Sequence, residues 1–141
     1  MHYPINSGPV LIFNDDVSAL ELTALSLKNS GFSTLTCTSI ASALERLQSV
    51  GGDVETLITD VTLSDSSGIE IASNLHARTP GMNFLFVSEH SFEDWTETAA
   101  VLFNRLPADS VRFLRKPYSA HDLVVKLIEL SRDPRHGIAS V

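Results

Sequence analysis

Five short β-rich runs alternate with five helix-like stretches along this chain, and that alternation constrains the fold more than any other feature. The runs are Val10–Phe13, Phe32–Thr38, Val54–Thr59, Asn83–Ser88 and Val111–Arg115. Each helical stretch opens on Ser-x-x-Asp/Glu, the pattern in which a hydroxyl accepts from a free N–H of the first turn and the acid reaches back. It recurs as Ser18…Glu21, Ser42…Glu45, Ser67…Glu70, Ser91…Asp94 and Ser119…Asp122. Helical spacing turns Leu20, Ala24 and Leu27 inward, then Ala43, Leu44 and Leu47, then Ile69, Ala72 and Leu75, and last Leu123, Leu127 and Leu130. Gly31, Gly51-Gly52, Pro80-Gly81 and Asp133-Pro134 supply the stops. Strict alternation implies right-handed crossovers and a parallel sheet. The near-continuous apolar runs Val10–Phe13 and Phe84–Val87 predict central strands buried on both faces. The expectation is an α/β fold, a five-stranded parallel sheet with helices on both faces.

At 141 residues the chain suits one domain with a proper core. We read residues 1–9 as an N-terminal extension, 10–132 as the domain and 133–141 as a tail or the start of a linker. A net charge of −7 leaves no basic stripe for phosphate backbones, so nucleic-acid binding is not expected. No apolar stretch approaches the eighteen or so residues that span a bilayer, and the start carries no signal-peptide pattern. The single cysteine, Cys37, sits in a strand-like run and reads as a small buried apolar residue. Together these features predict a cytoplasmic protein without membrane attachment.

Chemistry gathers at the strand ends. Thr56–Thr59 stops at Asp60, Val10–Phe13 stops at Asn14-Asp15-Asp16, and Val111–Arg115 stops at Lys116-Pro117. In an open parallel sheet the carboxyl ends of the strands share one edge, where ligands bind. Two acidic clusters and a lysine distant in sequence are thereby expected to meet, as a divalent-cation site with a counter-charge for phosphate.

These motifs, in this order, resemble the receiver domain of two-component response regulators over roughly Val10 to Arg132. Val10-Leu-Ile-Phe-Asn-Asp-Asp resembles the first strand with its acidic pair, and Leu57 to Gly68 the phosphoacceptor strand and its loop. Phe84-Leu-Phe-Val-Ser88 resembles the fourth strand, and Lys116-Pro117 with Tyr118 the lysine–proline motif. The resemblance implies a flavodoxin-like (βα)5 domain of strand order 2-1-3-4-5. It makes Asp60 the acceptor of a phosphoryl group from a histidine kinase or histidine phosphotransfer protein. Mg²⁺, or Mn²⁺, would be held by Asp15, Asp60 and the main-chain carbonyl of Thr62, with Asn14 acting through a water. Lys116 and Ser88 would take phosphoryl oxygens, Ser88 and Phe113 would form the switch, and the Lys116–Pro117 bond is expected to be cis. Such a protein phosphorylates its own aspartate and does not turn over a substrate. Its output is protein contact, with the downstream target unnamed by the sequence and self-association through the surface of the fourth and fifth helices open to it.

The chain also departs from the family pattern. Asn14 replaces the first carboxylate of the acidic pair, which should weaken Mg²⁺ binding, and Ser64 stands where a proline is common. Asp16 matches an extra acid the family often shows. Phe92, Trp95, Ala99, Leu102 and Leu106 space themselves as one stripe of a long fourth helix. Glu89 and His90 follow Ser88 at positions that in the family influence loss of the phosphoryl group. The rival reading is a pseudo-receiver, the same fold used as a protein-binding module without phosphorylation. A phosphohydrolase of the haloacid dehalogenase type wants an acid two residues after the nucleophile, where this chain has Thr62.

Overall fold

Period-two alternation puts successive strand residues on opposite faces, and here both faces are apolar. The computed structural model describes residues 9–49, 54–61, 67–89 and 97–131. Its strands are β1 (Val10–Phe13), β2 (Thr34–Cys37), β3 (Thr56–Val61), β4 (Asn83–Ser88) and β5 (Val111–Arg115). All pair in parallel, in the order β2-β1-β3-β4-β5 that the resemblance implied. The helices are α1 (Val17–Asn29), α2 (Ile40–Ser49), α3 (Ser67–Arg78), α4 (Glu97–Phe103) and α5 (Ala120–Ser131).

Two cores result, one on each face of the sheet. Leu11, Phe13, Leu57, Val61, Phe84 and Phe86 pack against Ala43 and Leu47 of α2 and Ile69, Ala72 and Leu75 of α3. Val10, Ile12, Ile58, Leu85, Val87 and Leu114 pack against Leu20 and Leu27 of α1 and Leu123, Leu127 and Leu130 of α5. Every residue of β1 and of β4 is buried, as expected of central strands. Cys37 is buried too, and desolvation pushes its thiol up to about 12 although Arg46 pulls the other way. It is a packing residue, with Sγ 3.5 Å from the Ile12 carbonyl oxygen. Among the described residues no helix is long and apolar enough to cross a membrane.

Several boundaries differ from the sequence reading. β2 is shorter than Phe32–Thr38 at both ends, because Gly31 (φ 95°) and Phe32 close α1: their N–H groups donate to the Lys28 and Leu27 carbonyls at 3.0 and 2.9 Å. β3 starts at Thr56 rather than Val54 and runs past Thr59, with Asp60 paired to Val87 and Val61 to Ser88. Asp60 therefore belongs to the strand. The wide β4 neighbour keeps the ladder going where the sequence turns polar.

Capping shifts in the same way. Ser18 is not the cap of α1; Asp16 is, its carboxylate accepting from the N–H groups of Ser18 and Ala19 at 3.0 and 3.4 Å. A carboxylate at a helix N-terminus takes two orphan donors and meets the positive end of the dipole, which a hydroxyl inside the first turn cannot do. The α2 box is built on Ser39 and Ser42, each Oγ accepting the other's N–H at 3.1 Å, one turn before the expected pair. At α5 the expected box forms in full, with Ser119 N–H to Asp122 at 3.2 Å and Asp122 N–H to Ser119 at 3.0 Å. The Ser91…Asp94 box lies outside the described residues, as do Gly51-Gly52, His90, Phe92 and Trp95. The long fourth helix does not extend to Leu106. α4 ends at Phe103, and Leu106 instead buries itself in the following turn, its N–H on the Phe103 carbonyl.

The cap assignment has a measurable consequence. Asp16→Ala should lower stability by about 1 kcal/mol in denaturant titrations. Ser18→Ala, with its side chain exposed, should change it by less than about 0.5 kcal/mol.

Candidate functional site

Strand parity decides which side chains meet. Ile12, Ile58 and Val87 face α1 and α5, so Asn14 and Asp60, each two residues further on, emerge on that same side beyond the apolar core. β5 brings Lys116 to the same edge, its N–H held by the Ser88 carbonyl at 2.9 Å. Lys116 and Asp60 meet there, Nζ 2.6 Å from Oδ1, across the width of β4. The Lys116–Pro117 bond is cis, as expected.

The pair lies at the floor of two adjoining hollows. One, of about 230 Å³, is lined by Asn14, Asp15, Asp16, Asp60, Glu89 and Lys116 among others. The larger, of about 610 Å³, is mainly apolar: Leu22, Pro117 and Tyr118 frame it, and Asn14, Asp60, Glu89 and Lys116 also reach it. Burial pushes the Asp60 carboxyl above the ordinary aspartate range; Lys116 opposes the shift, and Asp15 and Glu89 add to it. Burial also works against the Lys116 ammonium, but Asp60 first, then Tyr118 and Glu89, hold its pKa above the usual lysine value. A carboxylate that an adjacent lysine does not fully compensate is a strained charge. It favours whatever cation or electrophile next arrives.

Asn14 is buried and its Oδ1 accepts the Asp16 N–H at 2.9 Å, so the amide shapes the turn into α1 as well as facing the hollow. Asp15 is exposed beside it, free of the capping duty that Asp16 performs. Glycine is required at 68. A Cβ there would stand 2.4 Å from the Asp60 carbonyl oxygen and 2.7 Å from Thr59 Oγ1, so the start of α3 rests directly on the strand that carries Asp60.

Ser88 and Phe113 lie on the opposite face of the sheet from Asp60. Ser88 is buried at the end of β4, two residues beyond Phe86, and lines neither hollow. Phe113, paired with Phe86 and half-buried, packs on the α2–α3 core beside Phe103 and Leu106. The two expected switch residues thus share a face with each other and not with the carboxylate. Thr62 and Ser64 lie outside the described residues. Glu89 joins the lining of both hollows in the structure, which its place after Ser88 in the sequence does not by itself reveal.

The donor set fits a hard divalent cation. Asp15 and Asp60 offer carboxylates and Asn14 an amide oxygen, the oxygen-only, carboxylate-poor set that Mg²⁺ accepts while keeping several waters. Among the described residues no three His, Cys, Asp or Glu side chains converge as a preformed cage.

A parallel flavodoxin-like sheet with an acidic hollow and a lysine at its carboxyl edge defines a class of signalling modules. The response regulator receiver domain model matches residues 10–128, and the chain belongs to that family. It is 26% identical over 125 residues to the sensor kinase CckA of Brucella abortus, covering 88% of this chain and 12% of that protein. It is 26% identical over 132 residues to the probable transcriptional regulatory protein TcrX of Mycobacterium tuberculosis, covering 94% of this chain and 52% of that one. This chain thus spans about half or less of those curated relatives' length. A CheY-like receiver domain protein from Methanospirillum hungatei superposes with a TM-score of 0.73 at 22% identity, covering 94% of this chain and 98% of that one. A chain of the CheX–CheY–BeF3–Mg²⁺ complex from Borrelia burgdorferi superposes with a TM-score of 0.68 at 16% identity, covering 87% of this chain and 88% of that one.

The raised Asp60 pKa has a sign that can be tested. Where a buried carboxyl titrates above its unfolded value, the folded state binds more protons, so stability falls as pH rises through that window. In metal-free buffer Asp60→Asn should melt above the parent at pH 7. The gap should close as pH drops below the ordinary aspartate range. Gly68→Ala, which forces backbone apart, should cost about 1–3 kcal/mol in denaturant titrations.

Proposed function

We propose that this receiver domain takes a phosphoryl group on Asp60, in a divalent-cation-dependent reaction, from a phosphohistidine of a histidine kinase or phosphotransfer protein. The observation that carries the reading is the Lys116–Asp60 contact of 2.6 Å, at the floor of a hollow lined by Asn14, Asp15 and Glu89. An Asp60 oxygen attacks phosphorus, the P–N bond to the donor imidazole breaks, and the imidazole leaves with the bonding electrons and takes up a proton. Such transfers need positioning and charge neutralisation more than covalent machinery. Lys116, a compact ammonium, exchanges its hold on the carboxylate for the incoming phosphoryl oxygens. Asp15 and Asp60, with Asn14 through a water and, as the family resemblance implies, the Thr62 carbonyl, would hold Mg²⁺ or Mn²⁺, which would supply the remaining positive charge. The Mg²⁺ in the Borrelia CheY complex supports that part of the reading.

The new group adds about −1.5 to −2 charges. Ser88 moves through the end of β4 to meet it, and Phe113 follows into the space on the α3–α4 side. Phosphorylation biases two packings that pre-exist. Output then passes by protein contact from the surface of α4 and α5, where a second copy or a separate target docks. We place this activity in the cytoplasm.

The test is intact-mass spectrometry after incubation with acetyl phosphate, with Mg²⁺ or EDTA. One added phosphate is expected only with Mg²⁺, and none on Asp60→Asn. No mass gain under any condition would leave the fold as a binding module and remove this reading. Asn14→Asp should also tighten Mg²⁺ binding in calorimetric titrations, because it restores a carboxylate beside Asp15.

A further inference from the structure

We propose that Glu89 is a positioning residue of the cation site, the outer carboxylate that makes up the negative charge missing at Asn14. This rests on the metal-dependent reading above and names a residue which that reading left out.

Glu89 follows the last residue of β4, the strand between those that carry Asp60 and Lys116. Val87, two residues before it, pairs with Asp60, and Glu89 itself lines both hollows with Asp60 and Lys116. Its field reaches both partners of the ion pair. The charges then balance. Asp16 also lines the smaller hollow, but its carboxylate is turned to the α1 N–H groups, whose positive dipole offsets part of its charge, and Asn14 is neutral. Asp15 and Asp60 against Lys116 leave one negative charge, too few to match a divalent ion. Glu89 makes two.

Direct ligation is not required. No three described carboxylates converge on one point, and a hard cation keeps water in its shell. An exposed glutamate at the rim acts through those waters and through the long-range field. Across solvent, the Coulomb attraction between a divalent ion and one rim carboxylate changes affinity roughly three- to tenfold, and salt weakens the effect.

The experiment is Mn²⁺ titration followed by electron paramagnetic resonance of the free ion, on the parent, Glu89→Gln and Glu45→Gln, in low and high salt. Glu45 is exposed on α2 and serves as the control for overall charge. The expected result is a several-fold weaker Kd for Glu89→Gln alone, with the difference shrinking in high salt. Parent-like affinity in Glu89→Gln overturns the proposal, as does equal weakening in Glu45→Gln. A loss that salt leaves untouched also overturns it, since that marks a loop contact rather than charge. A parent that binds no Mn²⁺ overturns this inference and the metal-dependent reading together. A parent that binds Mn²⁺ with the expected Glu89 effect, yet takes no phosphate, removes the phosphoacceptor reading alone.

Discussion

The contact between Lys116 and Asp60 is the constraint on which the rest of the structure turns. It spans β3 to β5 across β4, so it forms only if all three strands lie parallel and in register at one edge. The pair does not exist to stabilise the fold. Breaking water's hold on Asp60 costs more than Lys116 returns, which is why the carboxyl titrates high despite an ammonium at 2.6 Å. Ion pairs drawn partly out of water commonly behave this way. The stability that tolerates this comes from the two apolar cores, each holding its side of the sheet independently of the site.

Strand parity divides the labour. Asp60, Asn14 and Lys116 open towards α1 and the loop before α5, while Ser88 and Phe113 lie on the opposite face of the sheet. Chemistry on one face and packing on the other meet through the strand backbones between them. The Ser88 carbonyl that holds the Lys116 N–H is one physical link between them. On the proposed reading, a charge arriving at Asp60 would pull on Lys116, whose N–H is tied to Ser88.

How much of this was legible in the sequence follows from which forces act locally. Strand and helix order, the inward residues of α3 and α5, and the meeting of Asp60 with Lys116 were readable, because burial periodicity is written in every run. The caps were misread where two candidates competed. Asp16 displaced Ser18 and Ser39 displaced Ser42, a difference of backbone entry angle that spacing alone does not encode. The end of β3 was misread because pairing with β4 carries a polar residue into the ladder. The long fourth helix failed for a tertiary reason: Leu106 finds burial in a turn against the β5 side. A heptad-like stripe cannot distinguish that from a helix face.

The hardest feature to read was Glu89. No local pattern marks it, since its significance lies in what stands across the edge of the sheet. Asn14 looks like a loss only when β1 is read alone. Set beside β4, it is half of an exchange, a buried amide that shapes the turn into α1 and an exposed carboxylate at the opposite rim of the same hollow. Burial explains why the exchange runs in that direction. A carboxylate at the buried position 14 would sit close to Asp60, itself already pushed towards protonation by desolvation and by neighbouring acids. An exposed carboxylate at 89 is solvated when the site is empty and attracts a cation when one approaches. On the proposed reading, the site would keep its charge for a divalent ion at a smaller cost to the folded state without it.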